Sequence, residues 1–236
     1  SGNNIFAGTS SGLLFSADHG NSWSNITSGF TIGTVRALTT SGNDIFVGCP
    51  WGIFSSSNNG GSWDAKNTGL AATTVSSLVV DGNNIYAITG YLEGGVFLSS
   101  NNGSTWTSIG AGLPNNNSIL SIALSGNNIF VGTSSNGVFW SNNNGNSWSA
   151  MNFGLPSNSS VVDIVINGNN IFAGTATGVY LSTNNGSSWT PVNLGLPTNV
   201  IICSLILSGS DLFVGTQNGV YLSTNNGANW TAANSG

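Results

Sequence analysis

Positive charge is almost missing from this sequence. Of 236 residues only Arg36 and Lys66 are basic, seven are acidic, and the formal net charge is −5. Two cations cannot neutralise a run of phosphates, so nucleic-acid binding is excluded. A polybasic patch on an anionic membrane is excluded for the same reason. No apolar run approaches the roughly 20 residues of a spanning helix, so membrane insertion is not expected. No secretory leader pattern stands at the start, and the first residue is Ser1 rather than Met, the expectation for a processed or excised chain. Histidine occurs once, as His19, and cysteine twice, as Cys49 and Cys203. There is no CxxC and no Cys/His cluster, so neither a metal nor a cofactor is expected. The two cysteines read as two buried thiols, since a disulfide needs the fold to bring them together.

What the chain has instead is glycine (34), asparagine (36) and eight tryptophans, arranged with a period. A small or acidic residue, Gly, Asn or Ser, then Asn or Asp precedes an apolar run from Ser1, Ser41, Asp81, Ser125, Asn167 and Ser208. A second marker keeps the same beat: Trp23, Trp63, Trp106, Trp148, Trp189 and Trp230, spaced 40, 43, 42, 41 and 41. Within one period, Val161–Ile166, Asn170–Thr175, Gly178–Ser182 and Ser188–Asn193 are short runs rich in β-branched and aromatic residues, each bounded by turn formers. No window carries a helical apolar period. Four antiparallel strands every 41 or so residues predict a β-propeller blade. The expected fold is therefore all-β, a six-bladed β-propeller forming a single domain over 1–236, with repeats starting near 1, 41, 81, 125, 167 and 208. A seven-bladed ring completed by further sequence is the competing architecture.

The third-to-fourth strand link reads Ser16-Ala-Asp-His-Gly-Asn-Ser-Trp23 in the first copy and Ser56-Ser-Asn-Asn-Gly-Gly-Ser-Trp63 in the second. The remaining copies end at Trp106, Trp148, Trp189 and Trp230. This resembles the Asp-box, or BNR, repeat of sialidases, sortilin-type receptors, xyloglucanases and photosystem II assembly-factor-like propellers. The resemblance spans the whole chain and implies a secreted or cell-surface bacterial protein. Asp18 alone keeps the family acid; Asn58, Asn101, Asn143, Asn184 and Asn225 replace it. A short Asn or Asp side chain closes such a turn through backbone N–H groups, glycine supplies a positive φ, and the tryptophan packs between blades while its N–H finds an acceptor. These loops therefore read as folding staples. A calcium site wants several carboxylates, and each loop has at most one.

The 236 residues fall about ten short of six periods. First strands are recognisable at Val35–Thr40, Val75–Val80, Ile119–Leu124, Val161–Ile166 and Ile202–Leu207, one fewer than the other three kinds. Blade 1 is expected to lack its innermost strand. Excision from a longer protein, a three-stranded blade, and a strand donated by a neighbouring chain all satisfy that count.

Catalysis finds no machinery in the sequence. The sialidase resemblance would imply an arginine triad, and Arg36 is the only arginine. Glycoside hydrolysis needs two carboxylates flanking one bond. Asp18, Asp44, Asp64, Asp81 and Asp211 read as turn or surface residues, and Glu93 and Asp163 lie two blades apart. The chain is expected not to be an enzyme. Departures from the repeat are more telling. Blade 2 has Gly48-Cys-Pro-Trp51-Gly52 between its second and third strands, and blade 3 has the longer Thr89-Gly-Tyr91-Leu-Glu93-Gly-Gly95. In propellers of this type these links share a face with the fourth-to-first connections. Arg36, Trp51, Tyr91 and Glu93 thus form a candidate ligand-binding sector, suited to a glycan or to a surface protein. The competing reading is loop drift, with Trp51 capping the blade core. Trp140, where the repeat has Leu, is expected to pack in the core or between blades. Asp163 falls in a column otherwise occupied by Ala37, Ser77, Ser121 and Ser204.

Overall fold

The computed structural model describes residues 4–27, 33–71, 74–90, 94–114 and 119–234. The chain forms two compact units, Ser1–Ile109 and Gly110–Gly236. The fold is all-β, and no helix occurs among the described residues. Six blades make it a six-bladed β-propeller, three blades in each unit; blade 1 has three strands and the others four.

In the first unit, blade 1 comprises β1 (Ile5–Thr9), β2 (Gly12–Ser16) and β3 (Ser24–Asn25). Blade 2 comprises β4 (Ala37–Ser41), β5 (Asp44–Cys49), β6 (Gly52–Ser56) and β7 (Asp64–Ala65). Blade 3 comprises β8 (Val75–Asp81), β9 (Asn84–Thr89), β10 (Val96–Ser99) and β11 (Thr107–Ser108). In the second unit, blade 4 runs through β12 (Ile119–Ser125), β13 (Asn128–Thr133), β14 (Val138–Ser141) and β15 (Ser149–Ala150). Blade 5 runs through β16 (Val161–Asn167), β17 (Asn170–Thr175), β18 (Gly178–Ser182) and β19 (Thr190–Pro191). Blade 6 runs through β20 (Ile202–Ser208), β21 (Asp211–Thr216), β22 (Gly219–Ser223) and β23 (Thr231–Ala232).

Every blade is an antiparallel meander. The first hairpins turn on two residues with glycine first at φ near +60°, as at Gly42, Gly82, Gly126, Gly168 and Gly209. That is the type II′ pattern, whose twist matches the strands it joins. The fourth strand is shorter than the sequence suggests, two residues in each blade. In blades 2, 4, 5 and 6 an asparagine two residues past that strand turns back onto the third strand. Asn67, Asn152, Asn193 and Asn234 each take a backbone N–H from the start of the third strand onto Oδ1, from Ile53, Val138, Val179 and Val220, at 2.7–2.8 Å. Gly52, Gly137, Gly178 and Gly219 leave room for that side chain: a Cβ at any of them would fall 2.2–2.4 Å from it.

The tryptophan turns are built as their sequence implies, with one addition. In the second turn the Ser56 hydroxyl donates to Asn58 Oδ1 and accepts from Gly60 N–H, while Ser62 N–H donates to Asn58 Oδ1. The residue before the turn glycine also sits at positive φ, 54–58°: His19, Asn59, Asn102, Asn144, Asn185 and Asn226. Asparagine tolerates that left-handed conformation better than most residues, which explains the Asn-Asn-Gly run. Asp and Asn serve the turn with opposite polarity. The Ser22 hydroxyl donates to Asp18 Oδ2, whereas Asn58, Asn101, Asn143 and Asn184 donate from Nδ2 to the hydroxyls of Ser62, Thr105, Ser147 and Ser188.

These bonds, the Ser22 hydroxyl first, hold the Asp18 carboxyl down at about 2, below its ordinary 3.8. A depressed carboxyl stabilises the fold above its ordinary value and loses that contribution as pH falls through the folded value. Stability should therefore fall as pH drops from about 4 toward 2. Asp18→Asn should flatten that acid limb while leaving the melting temperature at neutral pH nearly unchanged. A melting series over that range checks it; an undiminished acid limb in the variant refutes it.

Blades join through the tryptophans. Trp63 donates its indole N–H to Ile26 O, Trp106 to Lys66 O, Trp189 to Met151 O and Trp230 to Val192 O, each acceptor lying at the outer end of the preceding blade. The backbone N–H groups of Trp106, Trp189 and Trp230 bond Thr68 O, Phe153 O and Leu194 O. Trp23 differs, donating inside its own turn to Gly20 O.

Candidate functional site

Blade 2 brings two of the four candidate residues to one end of its sheet. The pairing Ala37↔Gly48 and Cys49↔Gly52 sets the start of β4 beside the β5–β6 turn. Arg36 N–H donates to Gly48 O (2.9 Å), and its side chain is exposed. Trp51 stands at the turn tip and is 64% exposed, so it does not cap the blade core. A Cβ on Gly33, in the incoming fourth-to-first link, would lie 3.8 Å from the Trp51 indole nitrogen. Equivalent turn positions in blades 1, 5 and 6 hold Ser11, Thr177 and Asn218.

The turn that carries Trp51 is itself unusual. Thr9, Thr133, Thr175 and Thr216 close the links that correspond to the β5–β6 turn by donating a hydroxyl to the carbonyl of the glycine that follows. Cys49 takes that place in blade 2 and is fully buried. Burial pushes its thiol up, while the backbone N–H groups of Trp51 and Gly52 pull the other way. Both cysteines are free; Cys203 is exposed, so the expectation of two buried thiols holds only for Cys49.

The roots of the blade 2 and blade 3 loops are adjacent. Val75 packs on Gly48, where a Cβ would fall 2.6 Å from Val75 Cγ1. The neighbouring Thr74 accepts from Gly90 N–H through its carbonyl (2.8 Å). Thr89 and Gly95 close the base of the blade 3 loop, Thr89 N–H to Gly95 O and Gly95 N–H to Thr89 Oγ1. Tyr91 and Glu93 lie outside the described residues.

Besides Asp18, two aspartates accept hydrogen bonds within the fold. Asp44 accepts from Asn102 Nδ2. Asp163 accepts from Ile164 N–H (2.9 Å) and, across to blade 6, from Leu205 N–H (2.8 Å). Burial raises its carboxyl, and the two N–H groups oppose that rise. The column expected from the repeat is real: Ala37, Asp163 and Ser204 pair with Gly48, Gly174 and Gly215. Trp140 is partly buried against the blade 4–5 core and donates to Asn128 Oδ1 (3.0 Å). Among the described residues no three of His, Cys, Asp and Glu converge as a metal centre would require.

Two open grooves were not legible in the sequence. One, of about 490 Å³ beside blade 4, is lined by Asn136, Phe139, Asn152, Leu155, Pro156 and Ser159. The other, of about 510 Å³ between the hairpins of blades 2 and 3, is polar, lined by Ser41, Asn83, Asn101 and Asn102 among others. Each gathers residues some twenty or more positions apart, and no local signal marks them.

Solved structures of the same fold include the extracellular domain of BT4673 from B. thetaiotaomicron, at 18% identity and a TM-score of 0.78; the match covers 94% of this chain and 31% of that one. The GH74 xyloglucanase from Xanthomonas campestris matches at 15% identity and TM-score 0.77, over 96% of this chain and 45% of that one. YCF48 bound to D1 peptide matches at 14% identity and TM-score 0.72, over 98% and 77%. The chain thus spans less than half the length of the first two, and likeness at these identities establishes the fold alone. No curated protein sequence matches the chain. The family model described as the DUF6242 beta propeller domain matches twice, over residues 48–162 and 113–236, and the chain belongs to that family.

Proposed function

We propose that the chain is a non-catalytic extracellular binding module whose turns are Asp-box repeats with asparagine in place of the acid. Its ligand is a glycan first and a surface protein second, taken by the blade 2–3 sector. The observation that carries this reading is Trp51, a 64% exposed indole on a braced turn where other blades hold small polar residues. Trp51 and Tyr91 stack on an apolar sugar face, Glu93 accepts from hydroxyls, and Arg36 donates from the start of β4. The low charge and the likeness to an extracellular domain support secretion or surface display. The non-catalytic reading draws support from Asp18, Asp44 and Asp163, whose carboxylates are already bound to turns, hairpins and strands.

Screening the protein on a glycan array tests the reading, followed by titration of any hit against Trp51→Ala. Losing one stacking aromatic costs about 1–3 kcal/mol, roughly ten- to a hundredfold in affinity. Because Trp51 is mostly exposed, melting should not change. Wild-type affinity in Trp51→Ala, or release of reducing sugar from a polysaccharide panel, overturns the proposal. The second reading is a structural surface segment without a small-molecule site, and the absence of any hit on the array would favour it.

A further inference from the structure

Blade 4 departs from the repeat where its second strand passes to its third. Thr9, Cys49, Thr175 and Thr216 stand three positions before the next glycine, and Thr133 stands four before Gly137. In the shorter links the threonine hydroxyl accepts from the N–H two residues on, at Ser11, Thr177 and Asn218. In blade 4 that bond comes from Asn136, three residues on, so one extra residue loops out. Length alone does not make a groove. The fold sets this longer link against the connection that follows β15, through Gly137 N–H to Ser159 O (3.0 Å). Asn152 ties the two sides together, accepting from Val138 N–H (2.7 Å) and donating from Nδ2 to Asn136 O (2.8 Å). Between them lies the groove of about 490 Å³, within the roughly 300–1,000 Å³ of ordinary small-ligand sites.

Two rings attend it. Phe139 lines it from the third strand and is half-buried. Phe153, next in sequence to the lining residue Asn152, is 79% exposed. Thr68, Ala111 and Leu194 hold that place in other blades. The polar lining is uncommitted in part: the Asn136 Nδ2, the Ser157 hydroxyl and the Asn158 amide have no hydrogen-bond partner among the described residues. What the groove lacks narrows its ligand. Residues 110–236 contain two charged side chains, Asp163 and Asp211, and neither lines it. Its backbone offers no strand edge for a peptide to join. Thr133 N–H is bound to Gly137 O, Met151 N–H to Val138 O and Leu155 N–H to Asn152 O, besides the Gly137 and Val138 bonds above.

We propose that this groove is a second ligand site, which takes a neutral saccharide. The aromatic faces of Phe139 and Phe153 meet the apolar face of a sugar ring. Asn136, Ser157 and Asn158 exchange hydrogen bonds with its hydroxyls, which both donate and accept as these side chains do. A charged ligand would find no counter-charge there, and an extended peptide would find no free backbone ladder. The site belongs to blade 4 and its connection to blade 5, and it stands whether or not Trp51 binds a ligand.

The test is nuclear magnetic resonance of the full ¹⁵N-labelled chain, titrated with cellotetraose, mannotetraose and tetra-N-acetylchitotetraose. At least one should shift the amide signals of residues 133–139 and 152–159, those of the Asn136 and Asn158 side chains included. Phe153→Thr, which installs the residue found at Thr68, should weaken that binding by about tenfold or more with melting unchanged. Deleting Ser135 gives blade 4 the spacing of its neighbours and should abolish binding. Asn136→Ala replaces the deletion should that variant lose its wild-type circular dichroism. Trp51→Ala should bind here as wild type does, so this site and the blade 2–3 sector succeed or fail separately. No shift in those segments with any of the three saccharides overturns the proposal, as does wild-type affinity in Phe153→Thr. So does a groove filled by the uncharged peptide acetyl-Leu-Phe-Leu-amide and by no saccharide.

Discussion

Trp189→Ala should lower the free energy of unfolding by about 3–5 kcal/mol, the usual cost of removing a buried tryptophan. Trp23→Ala, at the same place in the repeat, should cost far less. The difference lies in surroundings. Trp189 is 3% exposed, packs in the core between blades 4 and 5, and donates to Met151 O from its ring and to Phe153 O from its backbone. Trp23 is 42% exposed and its indole bond closes only its own turn. For a chain of this size each kcal/mol moves the midpoint by roughly 2–4 °C, so the Trp189 variant should melt roughly 10 °C lower. Differential scanning calorimetry of both variants checks the pair. Equal losses would mean that the tryptophan stabilises its own turn rather than the seam between blades.

Gly154→Ala should be nearly as damaging, by about 3–4 kcal/mol, although it only adds a methyl group. Gly154 has φ +95°, and a Cβ there would fall 2.1 Å from Trp189 O. The chain must move, and the Trp189 N–H to Phe153 O bond next to it goes with the movement. Gly168→Ala is the control. Gly168 also has positive φ (+59°), but nothing lies within 4 Å of its would-be Cβ. It should show only the backbone penalty of about 1–2 kcal/mol. Urea unfolding of the two variants separates close approach from strain; a control that loses as much as Gly154→Ala would refute the seam as the cause.

The periodic part of this fold was readable because two markers keep one beat and each stands for a physical requirement. The tryptophans mark seams between blades and the glycine-first hairpins mark turns, so strand positions follow to within a residue or two. The first strands and the three-stranded blade 1 emerge where the spacing puts them. The roles of asparagine were only partly readable. The turn-closing Asn58 and its counterparts stand out by likeness to a known repeat. The left-handed Asn59 and the strand-capping Asn193 do not, because one depends on φ and the other on a partner fourteen residues back. The candidate site was readable as a departure from the repeat. What the departure meant was not: an aromatic in a turn fits a cap or a projection equally, and only its exposure decides for Trp51. Trp23 looks like every other copy in sequence, and what sets it apart is an indole N–H that bonds inside its own turn.

The tryptophan turns also bear on how the molecule ages. Asparagine followed by glycine is the dipeptide most prone to deamidation, in which the glycine nitrogen attacks the side-chain amide and ammonia leaves. Five of these turns carry that dipeptide, at Asn59, Asn102, Asn144, Asn185 and Asn226. In each, the glycine nitrogen is buried and its N–H is bound to a serine hydroxyl at 2.8–2.9 Å. The would-be nucleophile is thus pinned in a backbone geometry that keeps it from cyclising. The hydroxyl that shapes the turn also preserves the amide beside it, and chemical wear in a chain so rich in asparagine is pushed to amides outside these turns.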